Sequence, residues 1–231
     1  MNITTLDLPF FFNKKEEKCA LSIAKTSDFC WENLCGHLSE DEFKKSNSIS
    51  LEKRKRQYCL GRITTKKALH AFIASPTFKE INIINAKSGC PIIENFDYFT
   101  SISHTDEVVA SLVFKKGFSF GIDIESMREN RVEALKSIMS EKECISNDLK
   151  NLTAAWTLKE ALSKALQCGF HMPFEEFKLS KFSENDQIFS CLYSKHPEFK
   201  GVALIYENNF YAIAYPANIE GFPEAYCSKL L

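Results

Sequence analysis

The feature of this chain that most restricts its fold is a weak internal repeat. Residues 38–42 (LSEDE) resemble residues 139–143 (MSEKE), and residues 64–69 (TTKKAL) resemble residues 157–162 (TLKEAL). The offsets between the paired segments are 101 and 93 residues, so an insertion or deletion of eight residues separates the two matches. Short helix beginnings often look alike, which leaves coincidence as the alternative. A duplication instead predicts a chain built from two similar halves.

The pattern of apolar residues predicts the same kind of structure in both halves. We expect an N-terminal subdomain at residues 1–115 and a C-terminal subdomain at residues 116–231. The elements expected in the first are strands 19–25, 79–84, 98–103 and 108–114 and helices 39–48 and 51–73. Those expected in the second are strands 118–125, 177–181, 188–193, 201–207 and 210–215 and helices 131–138, 141–146 and 153–168. The prediction is an α+β fold in which each half packs a helix on an antiparallel sheet.

The strand predicted at residues 118–125 (FSFGIDIE) carries two carboxylates on one face. Its apolar residues alternate with small and acidic ones, so Asp123 and Glu125 point to the same side. Two residues along a strand span about 6.5 Å, a spacing from which both side chains can reach one hard cation such as Mg²⁺. We expect Gly121, on the same face, to leave room for a ligand. The alternative is an exposed edge strand whose outer face happens to be acidic.

The helix predicted at residues 153–168 adds a third carboxylate and a cation. One face carries an apolar stripe typical of burial, made of Ala155, Leu158, Leu162, Ala165 and Leu166. Trp156, Glu160 and Lys164 follow one another at four-residue steps on a different face. An ordinary surface pair between Glu160 and Lys164 is the alternative, but the aligned tryptophan favours a partly buried surface. The strand and the helix together predict a divalent-metal site beside a cationic clamp, which suits chemistry on a pyrophosphate.

Five segments of this chain resemble one enzyme family. Residues 121–125 (GIDIE) and 156–164 (WTLKEALSK) resemble the signature pair of the 4′-phosphopantetheinyl transferases, most closely those of the surfactin-synthetase-activating type. The other three segments are SISH at 101–104, QYCLGR at 57–62 followed by Ala68 and Leu69, and GFHMPF at 169–174. All five occur in the family's order, and the resemblance covers about residues 38–180.

The resemblance implies a fold and a reaction. Members of this family are pseudo-dimers of two similar α/β halves, which supports the duplication and implies a monomer. They transfer 4′-phosphopantetheine from coenzyme A to a serine of an acyl or peptidyl carrier protein, as a holo-acyl-carrier-protein synthase does, and release 3′,5′-ADP. The reaction requires Mg²⁺. Carrier proteins of fatty-acid, polyketide and non-ribosomal peptide synthesis all stay open as partners.

The resemblance also implies roles for individual residues. Asp123, Glu125 and Glu160 would hold Mg²⁺, and Lys164 would approach the pyrophosphate and help the leaving group depart. The proton of the serine would pass to a base, for which Glu143 and Glu160 are both candidates. The residues implied in binding coenzyme A are Arg56, Arg62, Ser103, His104, Lys159 and Lys164.

Two departures from the family pattern leave the contacts to the 3′-phosphate of coenzyme A open. Many relatives have G-K-P before the S-x-S-H element, whereas this chain has Cys90 in place of the lysine. Lys87, three residues earlier, is one substitute. Some relatives place a phosphate-binding lysine where this chain has Glu42, and Lys44 and Lys45 lie nearby in the sequence.

Each assignment has a plainer alternative. The basic run at residues 53–56, which includes Arg56, is of a kind that is often only solvated, and a lone histidine such as His104 often only packs or caps a strand. For the whole protein, the alternatives are a metal-dependent phosphohydrolase, a non-catalytic binder of coenzyme A or carrier proteins, and a structural interaction protein. The complete set of three carboxylates and a lysine argues against the last two.

Composition excludes several other classes. A chain of 231 residues with 45% hydrophobic residues can bury a real core, and its net charge of −1 argues against non-specific nucleic-acid binding. Its nine cysteines are odd in number and contain no C-x-x-C, which is typical of reduced thiols. The apolar run at residues 8–12 is too short for a signal core or a membrane span. We therefore expect a cytoplasmic monomer with neither nucleic-acid nor membrane partners.

Overall fold

The chain forms two compact units, which a computed structural model describes over residues 2–140, 143, 145–168 and 172–230. Unit 1 comprises Lys18–Phe118 and the residues up to Leu8, and unit 2 comprises Pro9–Glu17 and the residues from Ser119 onward. Each unit contains an antiparallel sheet and a long helix. This confirms the α+β class, while the boundary between residues 115 and 116 stays a prediction.

Unit 1 is built on a six-stranded sheet with the order β1-β2-β6-β5-β4-β3. Its strands are β1 Thr4–Phe12, β2 Lys15–Lys25, β3 Ile83–Asn85, β4 Pro91–Ile93, β5 Tyr98–His104 and β6 Val108–Lys115. The end of β1 and the beginning of β2, within Pro9–Glu17, are counted with unit 2. Its helices are α1 Trp31–Cys35, α2 Glu40–Asn47 and α3 Glu52–Leu69. The long helix α3 lies on β5 and β6 and buries apolar residues that include Leu60 and Ile63. Burial of this face is the main stabilising contribution of α3.

Both helices predicted in unit 1 are present, but the second ends at Leu69 and not at residue 73, and one predicted strand is wrong in part. Helix α2 begins at a capping box, in which the Ser39 hydroxyl accepts from the Glu42 N–H and the Glu42 carboxylate accepts from the Ser39 N–H. The segment predicted as strand 79–84 instead begins with a 3₁₀ turn at Phe78–Glu80, because Thr77 and Glu80 form a second capping box. Strand β3 starts only at Ile83.

Unit 2 is built on a five-stranded sheet with the order β7-β11-β10-β9-β8. Its strands are β7 Gly121–Ser126, β8 Leu179–Asn185, β9 Ile188–Tyr193, β10 Phe199–Tyr206 and β11 Asn209–Pro216. Its helices are α4 Val132–Ile138, α5 Leu149–Ala165 and α6 Phe222–Leu230. The predicted helix at 141–146 and the first half of the GFHMPF segment lie largely outside the described residues. Helix α5 packs on β7, β10 and β11 and buries its alanine and leucine stripe.

Gly121 determines how closely α5 approaches β7. A Cβ at this position would lie 2.0 Å from the carbonyl oxygen of Ala161 and 2.4 Å from the backbone nitrogen of Ala165. The prediction that Gly121 makes room for a ligand is therefore wrong, since the space is filled by the backbone of the helix. The acidic face of β7 is consequently covered by α5, and residues 121–124 are buried on both faces. The alternative of an exposed acidic edge strand fails for the same reason.

Two further observations bear on the composition. No helix among the described residues is long and apolar enough to cross a membrane. The eight cysteines that the structure describes are free thiols. In the core of the sheets, burial raises the pKa of the Cys59 and Cys191 thiols to about 12, which keeps them protonated and unreactive at neutral pH.

Candidate active site

Asp123 and Lys164 meet where α5 crosses β7. Asp123 lies opposite Ala212 of β11 in the register of the sheet, and its side chain is only 6% exposed. Lys164 comes from the last turn of α5, and its Nζ donates to Oδ1 of Asp123 at 2.7 Å. The close approach at Gly121 brings these two elements together. The predicted carboxylate and the predicted lysine are thus direct neighbours.

Glu125 is held by two donors on different elements. Its Oε1 accepts from Trp156 Nε1 at 2.9 Å, which explains why the tryptophan aligns with the charged residues of α5. Its Oε2 accepts from Arg131 Nη1 at 2.7 Å, and the Arg131 guanidinium also lies 5.9 Å from the centre of the Trp156 ring. The sequence reasoning missed Arg131. It stands six residues after Glu125, at the beginning of the helix predicted at 131–138, and nothing in that helical pattern pairs it with Glu125.

Glu160 lies between these two pairs on the helix face. The pKa of Glu160 is raised from 4.5 to about 8, first by burial and then by the negative charge of Asp123, with a smaller contribution from Glu125. The ammonium of Lys164 and the guanidinium of Arg131 act in the opposite direction and do not cancel these effects. The three predicted metal ligands therefore influence one another electrostatically, and ionising all three would leave one negative charge that Lys164 and Arg131 do not balance.

The chemistry of this donor set fits a hard divalent cation, although the side chains are arranged around basic residues. Within the described part of the chain, no three His, Cys, Asp or Glu side chains converge as metal ligands. Lys164 occupies one oxygen of Asp123, while Arg131 and Trp156 occupy both oxygens of Glu125. Carboxylate oxygens are the ligands that Mg²⁺ prefers. A cation bound here would relieve the repulsion that raises the pKa of Glu160.

Glu143 and Lys159, predicted as a base and a coenzyme A contact, form an ion pair with each other. Lys159 Nζ lies 2.8 Å from Oε1 of Glu143, and both side chains are 1% exposed. The same carboxylate accepts the backbone N–H groups of Ser140 and Leu179, each at 2.8 Å. Every strong acceptor position of Glu143 is thus engaged by fixed donors, and this geometry favours a structural role over that of a base. The pair lines one wall of a cavity of about 200 Å³ that also includes Lys178.

Arg62 lines a cavity of about 480 Å³ in unit 1. Its guanidinium lies 4.3 Å from the ring centre of Tyr58 and donates to Oδ1 of Asn85. Its Nε is buried and has no hydrogen-bond acceptor. A buried guanidinium nitrogen without an acceptor is costly, and the Arg62 side chain that carries it lines this cavity. Lys45 lines the same cavity.

The other predicted coenzyme A residues of unit 1 lie elsewhere in that unit. Arg56 lines a second cavity, of about 220 Å³, with Gln57 and with the ion pair between Lys53 and Asp106. Ser103 is buried near the end of β5, and His104 is exposed at its last position. Arg56 and Arg62 therefore line different cavities.

The residues considered for binding the 3′-phosphate of coenzyme A lie in different surroundings in unit 1. Glu42 is buried against Lys66, and Lys44 forms an exposed pair with Glu40 at 2.6 Å. Lys45 is the lysine of this group that lines the Arg62 cavity, which Glu42 also lines. Lys87 is exposed in the turn before β4, and Cys90 is half-buried at its end.

Comparison with known proteins agrees with the resemblance read from the motifs. Residues 119–215 match the family described as the 4′-phosphopantetheinyl transferase superfamily, and residues 44–114 match the 4′-phosphopantetheinyl transferase N-terminal domain. The chain is 35% identical over 83 residues to the holo-[acyl-carrier-protein] synthase of Staphylococcus carnosus (strain TM300), which covers 33% of this chain and 71% of that protein. The chain belongs to the 4′-phosphopantetheinyl transferase superfamily. It is also 24% identical over 200 residues to the 4′-phosphopantetheinyl transferase gsp of Aneurinibacillus migulanus, covering 78% of this chain and 77% of that protein.

The two matched segments of this transferase divide the predicted site residues between them. The N-terminal match confirms the surfactin-synthetase-activating type, in which a second subdomain precedes the signature half. Residues 44–114 contain Arg56, Arg62, Ser103 and His104. Residues 119–215 contain Asp123, Glu125, Glu143, Lys159, Glu160 and Lys164. The roles of the individual residues stay predictions.

Proposed function

We propose that this protein transfers 4′-phosphopantetheine from coenzyme A to a serine hydroxyl of an acyl or peptidyl carrier protein. The observation that carries the proposal is the grouping of Asp123, Glu125, Glu160 and Lys164 where α5 crosses β7. A mutually repelling set of carboxylates next to a lysine suits the handling of a metal-bound pyrophosphate. The names of the two relatives support the same reaction class. Candidate carriers are those of fatty-acid, polyketide and non-ribosomal peptide synthesis.

In this proposal, Asp123, Glu125 and Glu160 hold Mg²⁺. Bound there, the cation supplies positive charge that neutralises the pyrophosphate of coenzyme A. The 27% exposed side chain of Lys164 is able to leave Asp123 and donate to a phosphate oxygen. Its charge then stabilises the negative charge that develops on the leaving group.

The transfer step needs a base for the serine proton. The serine oxygen attacks the β-phosphorus, the bond from that phosphorus to the bridging oxygen breaks, and 3′,5′-ADP departs. Of the two candidate bases, Glu160 is the one that lies among the residues assigned to the reaction, beside Asp123, Glu125 and Lys164. Glu143 is occupied by Lys159 and by two backbone N–H groups. We therefore assign to Glu160 the role of the base that accepts the serine proton. Glu143 and Lys159 are assigned a structural role.

The nucleotide end of coenzyme A is assigned to unit 1. Arg62 lines the cavity of about 480 Å³ in unit 1, and a planar guanidinium is suited to phosphate. Lys45, on the same cavity, takes the place of the lysine that is replaced by Cys90. Arg56, Ser103 and His104 are assigned further contacts to coenzyme A, as the family motif implies.

Intact-mass analysis of apo carrier proteins tests this proposal. A panel of carriers is incubated with the protein, coenzyme A and Mg²⁺, and wild type is compared with Glu160→Ala. Glu133→Ala is the matched control, since Glu133 is an exposed glutamate of α4 paired only with Lys136 in the described contacts. We expect one phosphopantetheine mass on at least one carrier with wild type and with the control, and none with Glu160→Ala.

If no carrier is modified, a thermal-shift measurement helps to decide which alternative function applies. Coenzyme A with Mg²⁺ raises the melting temperature only if the native protein binds it. Binding without transfer to any carrier would indicate a non-catalytic binder. Release of products from coenzyme A without a carrier would indicate a phosphohydrolase.

A further inference from the structure

We infer that Arg131 is a positioning residue that stands in for the divalent cation at Glu125 and gives way when the cation binds. This inference rests on the proposed metal-dependent transfer. Arg131 donates to Oε2 of Glu125 at 2.7 Å, on the carboxylate that the proposal assigns to the metal. It is therefore the cation that Glu125 contacts before a metal arrives.

The two donors to Glu125 differ in whether they can stay in place when a metal ion binds that carboxylate. The indole N–H of Trp156 is neutral, and a carboxylate oxygen that accepts one hydrogen bond still has a lone pair for a metal. The guanidinium of Arg131 carries a full positive charge, and a divalent cation on the same carboxylate would repel it. Trp156 is therefore able to stay in place while a metal binds, whereas Arg131 competes with it.

The position of Arg131 in the fold allows it to move. Asp123 and Glu125 lie on β7, and Glu160 and Trp156 lie on α5, both of which are fixed in the core. Arg131 instead ends the short 3₁₀ turn Glu129–Arg131 that precedes α4, and its side chain is 34% exposed. Its withdrawal removes one partly exposed ion pair without disturbing the helix on the sheet. Until then, its charge offsets part of the repulsion among the carboxylates.

The test is the affinity of the metal-free protein for Mn²⁺, measured by electron paramagnetic resonance in the absence of coenzyme A. Arg131→Gln removes the competing charge, and we expect Mn²⁺ to bind about two- to fivefold more tightly, the size of one partly exposed ion pair. Arg131→Lys keeps the charge and should bind nearly as wild type does. Lys136→Gln is the matched control, because it removes one partly exposed cation of the neighbouring helix α4, whose described partner is Glu133.

A second readout separates positioning from general electrostatics. Without metal, Arg131→Gln should melt at a lower temperature than wild type, because the carboxylates lose a counter-charge, and saturating Mn²⁺ should remove this difference. Equal or weaker Mn²⁺ binding by Arg131→Gln, or equal tightening by Lys136→Gln, would overturn the inference while leaving the metal site intact. If neither wild type nor Arg131→Gln binds Mn²⁺, the inference fails together with the metal assignment, and the intact-mass assay then decides separately whether transfer occurs.

Discussion

The two units of this protein share a buried ion pair but not the residues assigned to chemistry. In unit 1, the carboxylate of Glu42 accepts from Lys66, from the Ser39 N–H at 2.9 Å and from the Ile83 N–H at 3.0 Å. In unit 2, Glu143 accepts from the corresponding donors, which are Lys159, the Ser140 N–H and the Leu179 N–H. Each network joins the segment before the long helix, the helix itself and the strand that follows it. A feature present in both copies reports on the fold.

The face of the long helix that carries charge differs between the units. At the 93-residue offset of the repeat, Trp156, Glu160 and Lys164 of α5 correspond to Ile63, Lys67 and Ala71. Lys67 is exposed, and it pairs with no carboxylate among the described ion pairs. Only the second copy therefore has the tryptophan, carboxylate and lysine that face β7. A feature found in only one copy indicates a role in the reaction. The comparison therefore favours a structural role for Glu143 and a role in the reaction for Glu160.

The largest effect expected from this comparison is on activity. Glu160→Gln should lower the rate of carrier modification by about 100-fold or more, because it removes a charge assigned to the metal and to the serine proton. Lys67→Gln, at the corresponding position of α3, should leave the rate within about twofold. Steady-state rates on one accepted carrier measure both, and similar losses from both variants would break the comparison.

The buried ion pairs should instead have matched effects on stability. Glu143→Ala leaves Lys159 buried without its partner and should cost about 3–5 kcal/mol, and Glu42→Ala should cost a similar amount through Lys66. Burial lowers the pKa of Lys66, so part of this cost is relieved where the lysine loses its proton. Denaturant unfolding gives both values.

The double variant Glu143→Ala/Lys159→Met distinguishes a structural pair from a catalytic one. It removes the stranded charge, and we expect it to recover stability and part of the activity lost in Glu143→Ala. If Glu143 were the base, activity would stay absent when stability returned.

The difference between the pairs and the charged face also explains what the sequence could predict. The repeat, the two long helices and the strands β5 to β7 follow from periodicity, which is local. The Glu160 and Lys164 face follows from helical spacing, also a local property. The pairing of Glu143 with Lys159 and of Arg131 with Glu125 depends on tertiary contacts between residues whose spacing carries no periodic signal. The true neighbour of Gly121 was missed for the same reason, since a glycine in a strand indicates a close approach but not what approaches.

Two glycines sharpen the comparison at the helix–sheet contacts. Gly121→Ala would place a Cβ against the backbone of α5, and we expect a loss of about 3 kcal/mol or more together with a displaced helix and lower activity. In unit 1, Gly61→Ala meets only the side chain of Ile102, at 3.1 Å. A side chain can shift, and alanine is favoured over glycine in a helix by about 1 kcal/mol. Gly61→Ala should therefore be nearly neutral in the same unfolding experiment, and a comparable loss at both sites would contradict this account of Gly121.

The smallest expected effect is a dependence of stability on pH that belongs to unit 2. Burial, Asp123 and Glu125 raise the pKa of Glu160 from 4.5 to about 8, so the folded protein binds this proton more tightly than the unfolded chain does. The contribution of the proton to stability is therefore complete below about pH 4.5 and is lost as the pH rises through 8. Glu160→Gln resembles the protonated form and should not show this loss.

Melting temperatures at pH 5.5 and 8.5, with a chelator present, measure this dependence. Wild type should lose a few degrees more than Glu160→Gln between the two values, while Glu133→Gln, which changes an exposed glutamate, should follow wild type. A divalent cation should reduce the loss in wild type, because it supplies at high pH the positive charge that the proton supplies at low pH. Parallel behaviour of wild type and Glu160→Gln would mean that the carboxylates are already balanced by Lys164 and Arg131, and the electrostatic argument for a metal at this site would be lost.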